Sequence, residues 1–422
     1  MHRNAYWYKV DNAGKIFPAV SKESRSSVFR LSFYIDQEVD PVLLNQAVSD
    51  VLLRFETFAV TLKRGLFWYY LSHNNKPFQV KKEPSVMCKF VPWSQNNGYL
   101  FNVYYYQNKI VLEIFHSLSD GTGGMEFLKS ITYRYLELRG EKLNHNQMIL
   151  SQVPNSTQES VDMFKYTSDK ENKKNLKEEP AYHIKGELFP HGYSLCVRAK
   201  ASTDELLAVA HKYHVTLGQF IAAAMTYSIY CSDNMIHKSR KPIKMFVPVN
   251  LRKYFPSKTI RNFSLYIKTT FSTKQTLTFE DIIQGTKEQF EAQLNKKDLH
   301  QRINANVAIE DNIAVRLLPL PIKDFAFRLG YYFLAEDIST YSISNLGNVK
   351  LPTDMEQFVN QIEFSIGGTN MGVASYQGKT CFSMNSRYKD LSVIQSFIQL
   401  LTSEGVTVSI DTNYREGYDE IL

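Results

Sequence analysis

The run Ile110-Val111-Leu112-Glu113-Ile114-Phe115, followed by His116-Ser117-Leu118-Ser119-Asp120-Gly121, constrains the fold of this chain more than any other stretch. Its first six residues have the β-branched and aromatic composition of a buried strand, and Ser117 to Gly121 has the Ser, Asp and Gly content of a turn. Beyond Gly121-Thr122-Gly123-Gly124, the residues Leu128, Ile131, Tyr135 and Leu138 recur at helical spacing, and Gly140 closes the run as a helix C-terminus often does. Strand, histidine, turn, Asp-Gly and helix therefore follow one another in order. A histidine at the end of such a strand keeps one side in the core and the other toward the cleft that strand ends line, where a general base reaches a substrate.

The stretches before this motif supply its frame. Residues 28–35 alternate as a strand, Asp40 caps a helix with Pro41 at its first position, and Leu44, Ala47, Val48, Val51, Leu52 and Phe55 share one helical face. Residues 58–62 and 66–71 read as a hairpin around Lys63-Arg64-Gly65, and residues 99–106 pair with 110–115 across Gln107-Asn108-Lys109. From Glu141 to about Glu187 the composition turns polar, most strongly at 170–177, which reads as a solvated crossover between two halves. The alternative use of that charged run, docking an acidic carrier protein, is the weaker one, because charge runs are usually just solvated.

The second half reads as a strand at 193–198, a helix capped by Thr203, a second helix capped by Thr216, and a strand at 244–249 ending in Asn250-Leu251-Arg252. Thr278 caps a long amphipathic helix, an apolar helix covers 322–334, and Tyr341-Ser342-Ile343-Ser344-Asn345-Leu346-Gly347 follows. Strands at 361–366, 371–376 and 380–385 and a helix at 391–402 complete it. His211 and His214 fall near a helix C-terminus, which favours them through its dipole, and no third ligand accompanies them, so no metal site is expected.

At this point a family resemblance is visible. HSLSDG in its strand and helix context resembles the HxxxD(G) signature of the chloramphenicol-acetyltransferase-like acyltransferase superfamily, most like bacterial alcohol acetyltransferases and condensation-domain-like proteins. The paired helices in ASTDELLAVAHKYHVTLGQFIAAAM, the Pro-Val-Asn-Leu-Arg ending at Arg252 and the Ser-Asn of Ile-Ser-Asn-Leu-Gly resemble the same superfamily in the same order. Where many condensation domains carry two histidines in a row, this chain has Phe115 and His116, which favours an acyltransferase.

The resemblance implies an α/β mixed fold of two acyltransferase-like subdomains, 1–180 and 181–422, each a mixed sheet flanked by helices, with the active site at their interface. It implies acyl transfer, acetyl being one candidate group, from acyl-CoA as co-substrate directly to an alcohol or amine, with no permanently bound cofactor. The alternatives are a condensation-like enzyme using an acyl or peptidyl carrier protein and a catalytically silent homologue. In this reading His116 is the catalytic base. Asp120 and Gly121 form a structural loop clamp with Arg252, Arg261 being the fallback partner. Ser344 and Asn345 are candidate contacts to the oxyanion or substrate, as is a backbone amide near Gly121. The residues themselves show no G-x-S-x-G elbow and no cysteine with a neighbouring histidine, so direct transfer is the economical mechanism.

Composition narrows the remaining classes. With 422 residues, 44% of them hydrophobic, the chain is long enough for two cores, and disorder is not expected. Lys and Arg exceed Asp and Glu by 49 to 42, a net charge of +7 spread without a basic stripe, which suits an anionic co-substrate better than nucleic acid. Cys88, Cys196, Cys231 and Cys381 form no CxxC pair, no run reaches the length of a membrane span, and the first residues lack a signal-peptide core, so a cytoplasmic protein is expected.

Overall fold

The computed structural model describes residues 6–22, 25–90, 95–169, 171, 179–232, 239–334 and 338–414. The first half runs β1 (Trp7–Lys9), α1 (Phe17–Val20), β2 (Val28–Ile35), α2 (Pro41–Leu52), β3 (Val60–Arg64), β4 (Tyr69–His73), β5 (Lys81–Lys82), β6 (Phe101–Tyr106), β7 (Lys109–Phe115), α3 (Gly121–Arg139) and α4 (Met163–Thr167). The second runs β8 (Leu195–Ser202), α5 (Thr203–Lys212), α6 (Leu217–Ser232), β9 (Ile243–Asn250), β10 (Ser264–Phe271), α7 (Phe279–Gln293), α8 (Lys296–Asp311), α9 (Ile313–Leu317) and α10 (Leu320–Leu334). It ends with β11 (Tyr341–Asn348), α11 (Thr353–Glu356), β12 (Val359–Ile366), β13 (Asn370–Tyr376), β14 (Lys379–Ser386), α12 (Ser392–Ser403) and β15 (Val408–Thr412).

Among the described residues the strands form three sheets. A five-stranded sheet has the order β12-β2-β7-β6-β5, a seven-stranded mixed sheet has β10-β9-β11-β13-β14-β8-β15, and β1-β4-β3 form a small antiparallel one. Strand β12 comes from the second half, yet it pairs antiparallel with β2 of the first, from Val359 opposite Ile35 to Ile366 opposite Phe29. The next strand, β13, lies in the larger sheet, so the chain passes from one sheet to the other between Ile366 and Asn370. At that seam Gly372 has no room for a side chain: a Cβ there would meet Phe364 O at 1.9 Å. The edge strand β12 of the five-stranded sheet is thereby held against β13, an inner strand of the larger one.

Helices α2 and α3 cover one face of the five-stranded sheet. Asp40 accepts from Val42 N at 2.7 Å and Leu43 N at 3.2 Å, satisfying the open amides of α2, which then buries Leu44, Ala47, Val48, Val51 and Leu52. Against it α3 buries Phe127, Leu128, Ile131, Tyr135 and Leu136, and Phe127 stacks on Phe58 with ring centroids 4.3 Å apart. Each such side chain stabilises by roughly 1.5–3 kcal/mol, so the loss of two takes a large part of an ordinary domain's stability.

The elements differ from the sequence expectation in a few places. The hairpin strands lie two residues further along, because the turn spans Gly65 to Trp68, with Gly65 N donating to Trp68 O at 3.0 Å. Ser202 rather than Thr203 caps α5, accepting from Glu205 N at 3.4 Å, since the strand before it continues to Ser202. Helices α1, α4, α8, α9 and α11 and strands β1, β5 and β15, short or without a clear apolar period, are additions. The polar crossover is not uniformly solvated: Ile149, Met163 and Phe164 are buried, and Glu159 takes a two-pronged ion pair from Arg54, both contacts 2.9 Å. Of its most polar part only Glu171 lies within the described residues.

Candidate active site

Strand β7 is buried along its whole length and ends at Phe115, paired with Val28 of β2, so the next residue is delivered at the rim of the sheet. There His116 leaves the ladder. Its backbone N donates to Ser27 O at 2.9 Å, and its ring is stacked by Phe17 of α1 with centroids 4.6 Å apart and met edge-on by Phe29 at 5.3 Å. Burial lowers its pKa below the ordinary value, while the Asp120 carboxylate and hydrogen bonds to its own backbone and to Asn262 pull the other way. The imidazole is therefore neutral at neutral pH.

Its tautomer is set by a residue that sequence reasoning passed over. Asn262 Oδ1 lies 2.9 Å from His116 Nδ1, while Asn262 Nδ2 donates to His116 O at 2.9 Å and to the Asp11 carboxylate at 3.1 and 3.3 Å. Both partners of Nδ2 are acceptors only, so the amide's nitrogen must face them and its oxygen must face the ring. An oxygen facing Nδ1 requires a proton on Nδ1, which leaves the lone pair on Nε2. Behind the amide, Asp11 is fully buried and also accepts from Gly14 N at 2.6 Å, and Arg261 Nε lies 3.5 Å away. Burial pushes Asp11 up to about 6, with Arg261 opposing and Asp162 adding to the rise.

Asp120 faces away from this ring. It caps α3 by accepting from Gly123 N at 3.1 Å, accepts from Phe263 N at 2.9 Å, and takes Arg252 Nη1 at 2.8 Å and Nη2 at 3.3 Å. Arg252 also donates to Thr259 O at 3.0 Å and Arg261 O at 2.7 Å, so one guanidinium ties the motif loop to the segment after β9. Asn250 adds a bond to Thr122 Oγ1 at 3.1 Å. Arg261 is used elsewhere, on Asp11, Ser160 O at 3.1 Å and Lys9 O at 2.5 Å. Gly123 is demanded by the same junction, where a Cβ would meet Ile260 O at 2.0 Å and Ser119 Oγ at 2.2 Å. Gly121 packs against Leu346 of β11.

Two cavities meet at His116, and Phe17 and Pro248 line both. One, of about 420 Å³, is walled by aromatic and aliphatic groups including Phe17, Trp68, Phe164, Tyr266 and Phe327, with Asn262 beside the ring. The other, of about 940 Å³, is polar and carries Arg25, Lys89 and Arg387 with Ser342 and Ser344 of β11. Ser344 thus shares a cavity with His116. Asn345 is exposed and accepts from Gly347 N at 2.7 Å, in the turn where Gly347 takes φ +74°. The reactive arrangement that results is a neutral base, reachable from an apolar chamber on one side and a cationic chamber on the other.

No family model matches the chain, and no curated protein does. Solved structures match over almost the whole length. TRI3 trichothecene 15-O-acetyltransferase from Fusarium sporotrichioides superposes on 95% of this chain and 95% of its own, with a TM-score of 0.59 at 12% identity. F. graminearum TRI101, complexed with coenzyme A and deoxynivalenol, covers 94% and 97% at a TM-score of 0.56 and 11% identity. The starter condensation domain of rhizomide synthetase RzmA, complexed with C8-CoA and Leu-SNAC, covers 94% and 94% at 0.57 and 12%. At these identities the likeness is one of fold, and the fold is the two-subdomain mixed α/β architecture of chloramphenicol-acetyltransferase-like acyltransferases and condensation domains.

Proposed function

We propose that the protein transfers an acyl group from a thioester, acyl-CoA in the first instance, directly to an alcohol or amine. The observation that carries this reading is His116, which lines both cavities and is held as the Nδ1–H tautomer, with no hydrogen bond to Nε2 among the described residues. The cationic chamber, with Arg25, Lys89 and Arg387, suits the phosphates of coenzyme A, and the aromatic chamber suits a carbon-rich acceptor. That structural neighbours are complexed with coenzyme A or C8-CoA supports a coenzyme A thioester as the donor.

In the reaction Nε2 takes the proton of the acceptor hydroxyl or amine as its heteroatom attacks the thioester carbonyl. The carbonyl oxygen becomes an oxyanion in a tetrahedral intermediate, for which the Ser344 hydroxyl is the candidate donor, a role worth roughly 3–4 kcal/mol in enzymes where one such donor has been removed. Collapse breaks the C–S bond, and the imidazolium returns the proton to the departing thiolate. Asn262 Oδ1 accepts a stronger hydrogen bond from that imidazolium than from the neutral ring, with the Asp11 carboxylate behind it. Asp120 and Arg252 hold the loop and touch neither reacting group.

Thiol release from acetyl-CoA and longer acyl-CoAs, measured against a panel of alcohol and amine acceptors, tests the reaction. Acceptor-dependent release supports it. Release only from a carrier-loaded thioester would move the assignment to a condensation-like enzyme, and no release from either donor would leave a silent fold.

A further inference from the structure

Around the mouth of the aromatic cavity the surface is apolar beyond what a water-facing surface requires. Leu66, Ile313, Leu317, Ile322, Phe325 and Leu329 stand 47–73% exposed. They come from the β3–β4 turn, from α9 and from the outer face of α10, where Ile322, Phe325 and Leu329 recur three and four residues apart. Leu320 N donates to Leu66 O at 2.9 Å, Lys323 Nζ to Phe67 O at 2.8 Å, and the Trp68 and Phe327 rings lie 6.4 Å apart, so turn and helices form one surface. Ile309, Val315 and Phe327, from the same stretch of chain, line the cavity, and the patch therefore continues into it.

The charges around this patch are sorted by sign. Glu310 is drawn inward by Lys15 at 2.5 Å, by Lys165 and by Asn12 Nδ2 at 2.9 Å, Asp324 is buried and accepts from Tyr69 OH at 2.7 Å, and Asp311 is engaged as well. Lys63, Arg64 and Arg316 are exposed. The adjoining groove, about 520 Å³, adds Lys9 and the exposed indole of Trp7 beside Arg316. Aliphatic side chains ringed by outward cations, with tryptophan at the boundary, match the polarity profile of an anionic lipid surface. A second copy on the same face would set Lys63, Arg64 and Arg316 against a surface that carries the same cations, which like-charge repulsion opposes.

We propose that the β3–β4 turn, α9 and α10 dock on an anionic lipid surface, with Ile313, Leu317, Ile322 and Phe325 inserted among the acyl chains and Arg316, Lys63 and Arg64 at the head groups. The mouth of the aromatic cavity then faces the lipid. If the acyl-transfer reading holds, the acceptor is a lipophilic alcohol or amine drawn from that surface; the docking itself stands without that reading.

Co-sedimentation of the full chain with vesicles separates these ideas, because it reads no catalysis. One set is phosphatidylcholine and the other contains roughly one third phosphatidylglycerol. The expected result is binding to the anionic set that weakens with salt and falls at least about tenfold in the triple substitution Ile313→Asp, Leu317→Asp, Phe325→Asp, with circular dichroism and thermal unfolding unchanged. Arg316→Glu should weaken binding to the anionic set alone. Absence of sedimentation with either set, binding unaffected by the triple substitution, or a lipid-free dimer in sedimentation velocity that the triple substitution dissolves would each overturn the proposal, the last in favour of a second copy as occupant.

Discussion

The proposed chemistry turns on which nitrogen of His116 carries a proton. Asn262→Leu removes the only acceptor shown for Nδ1 among the described residues and keeps the bulk, so the ring is free to adopt the wrong tautomer. A fall in kcat of about 10²–10⁴, with the thioester KM within about threefold, is expected, by analogy with other sites that lose a tautomer-fixing partner. The pH profile follows from two shifts. His116, lowered by burial, must be neutral to act, so kcat/KM should stay flat as pH falls through the ordinary histidine value of about 6.5 and decline only below it, where the shifted ring takes up its proton. Asp11, raised by burial to about 6, gains its proton over the same range and loses acceptor strength toward Asn262; Asp11→Asn should leave a limb shaped by His116 alone. The stability signs oppose one another. The His116 contribution is present above its unfolded value and lost as pH falls through its lower folded value, whereas that of Asp11 is present below its unfolded value and lost as pH rises through about 6.

At the scale of the element the motif loop is held by Asp120, Arg252 and the close approach at Gly123. Asp120→Asn leaves the largely but not fully buried Arg252 with half its partner, and removing one member of a buried pair costs about 3–5 kcal/mol. Denaturant unfolding should move by something near that, together with activity; lost turnover with unchanged unfolding would instead make Asp120 a catalytic partner of His116. Gly123→Ala should prevent proper closure of the loop and cost more than about 3 kcal/mol, since backbone at Ile260 cannot step aside, while Gly140→Ala, at φ +105° with nothing near its Cβ, should cost only about 1 kcal/mol. These elements were largely legible in sequence, because strand alternation, caps at Asp40, Thr216 and Thr278, and the glycine closing α3 are local signals. Asp11 and Asn262 were not. They lie 251 positions apart, neither belongs to a spacing pattern, and an amide that fixes a tautomer looks like any other asparagine until its neighbours are known.

At the scale of the molecule the sequence suggested two halves and a polar connection, but not that β12 would cross into the sheet of β2 and β7. Its alternation is the same on either sheet, and only tertiary contacts choose between them. β11 and the Ile366–Asn370 turn lie to one side of His116, while α8 and α9 wall the other, which is why the two chambers differ in chemistry. If the chambers divide the substrates as proposed, Ser344→Trp should raise the thioester KM about tenfold or more and leave the acceptor KM near its original value. The reverse pattern would exchange the chambers.

Direct acyl transfer as proposed requires His116 to take the acceptor proton. Single-turnover thiol release, with thioester and acceptor both saturating, measures that step in wild type and in His116→Ala, the fold of each being checked by circular dichroism. A fall of about 10²–10⁴ with the fold intact is the expected result. An unchanged single-turnover rate would contradict it.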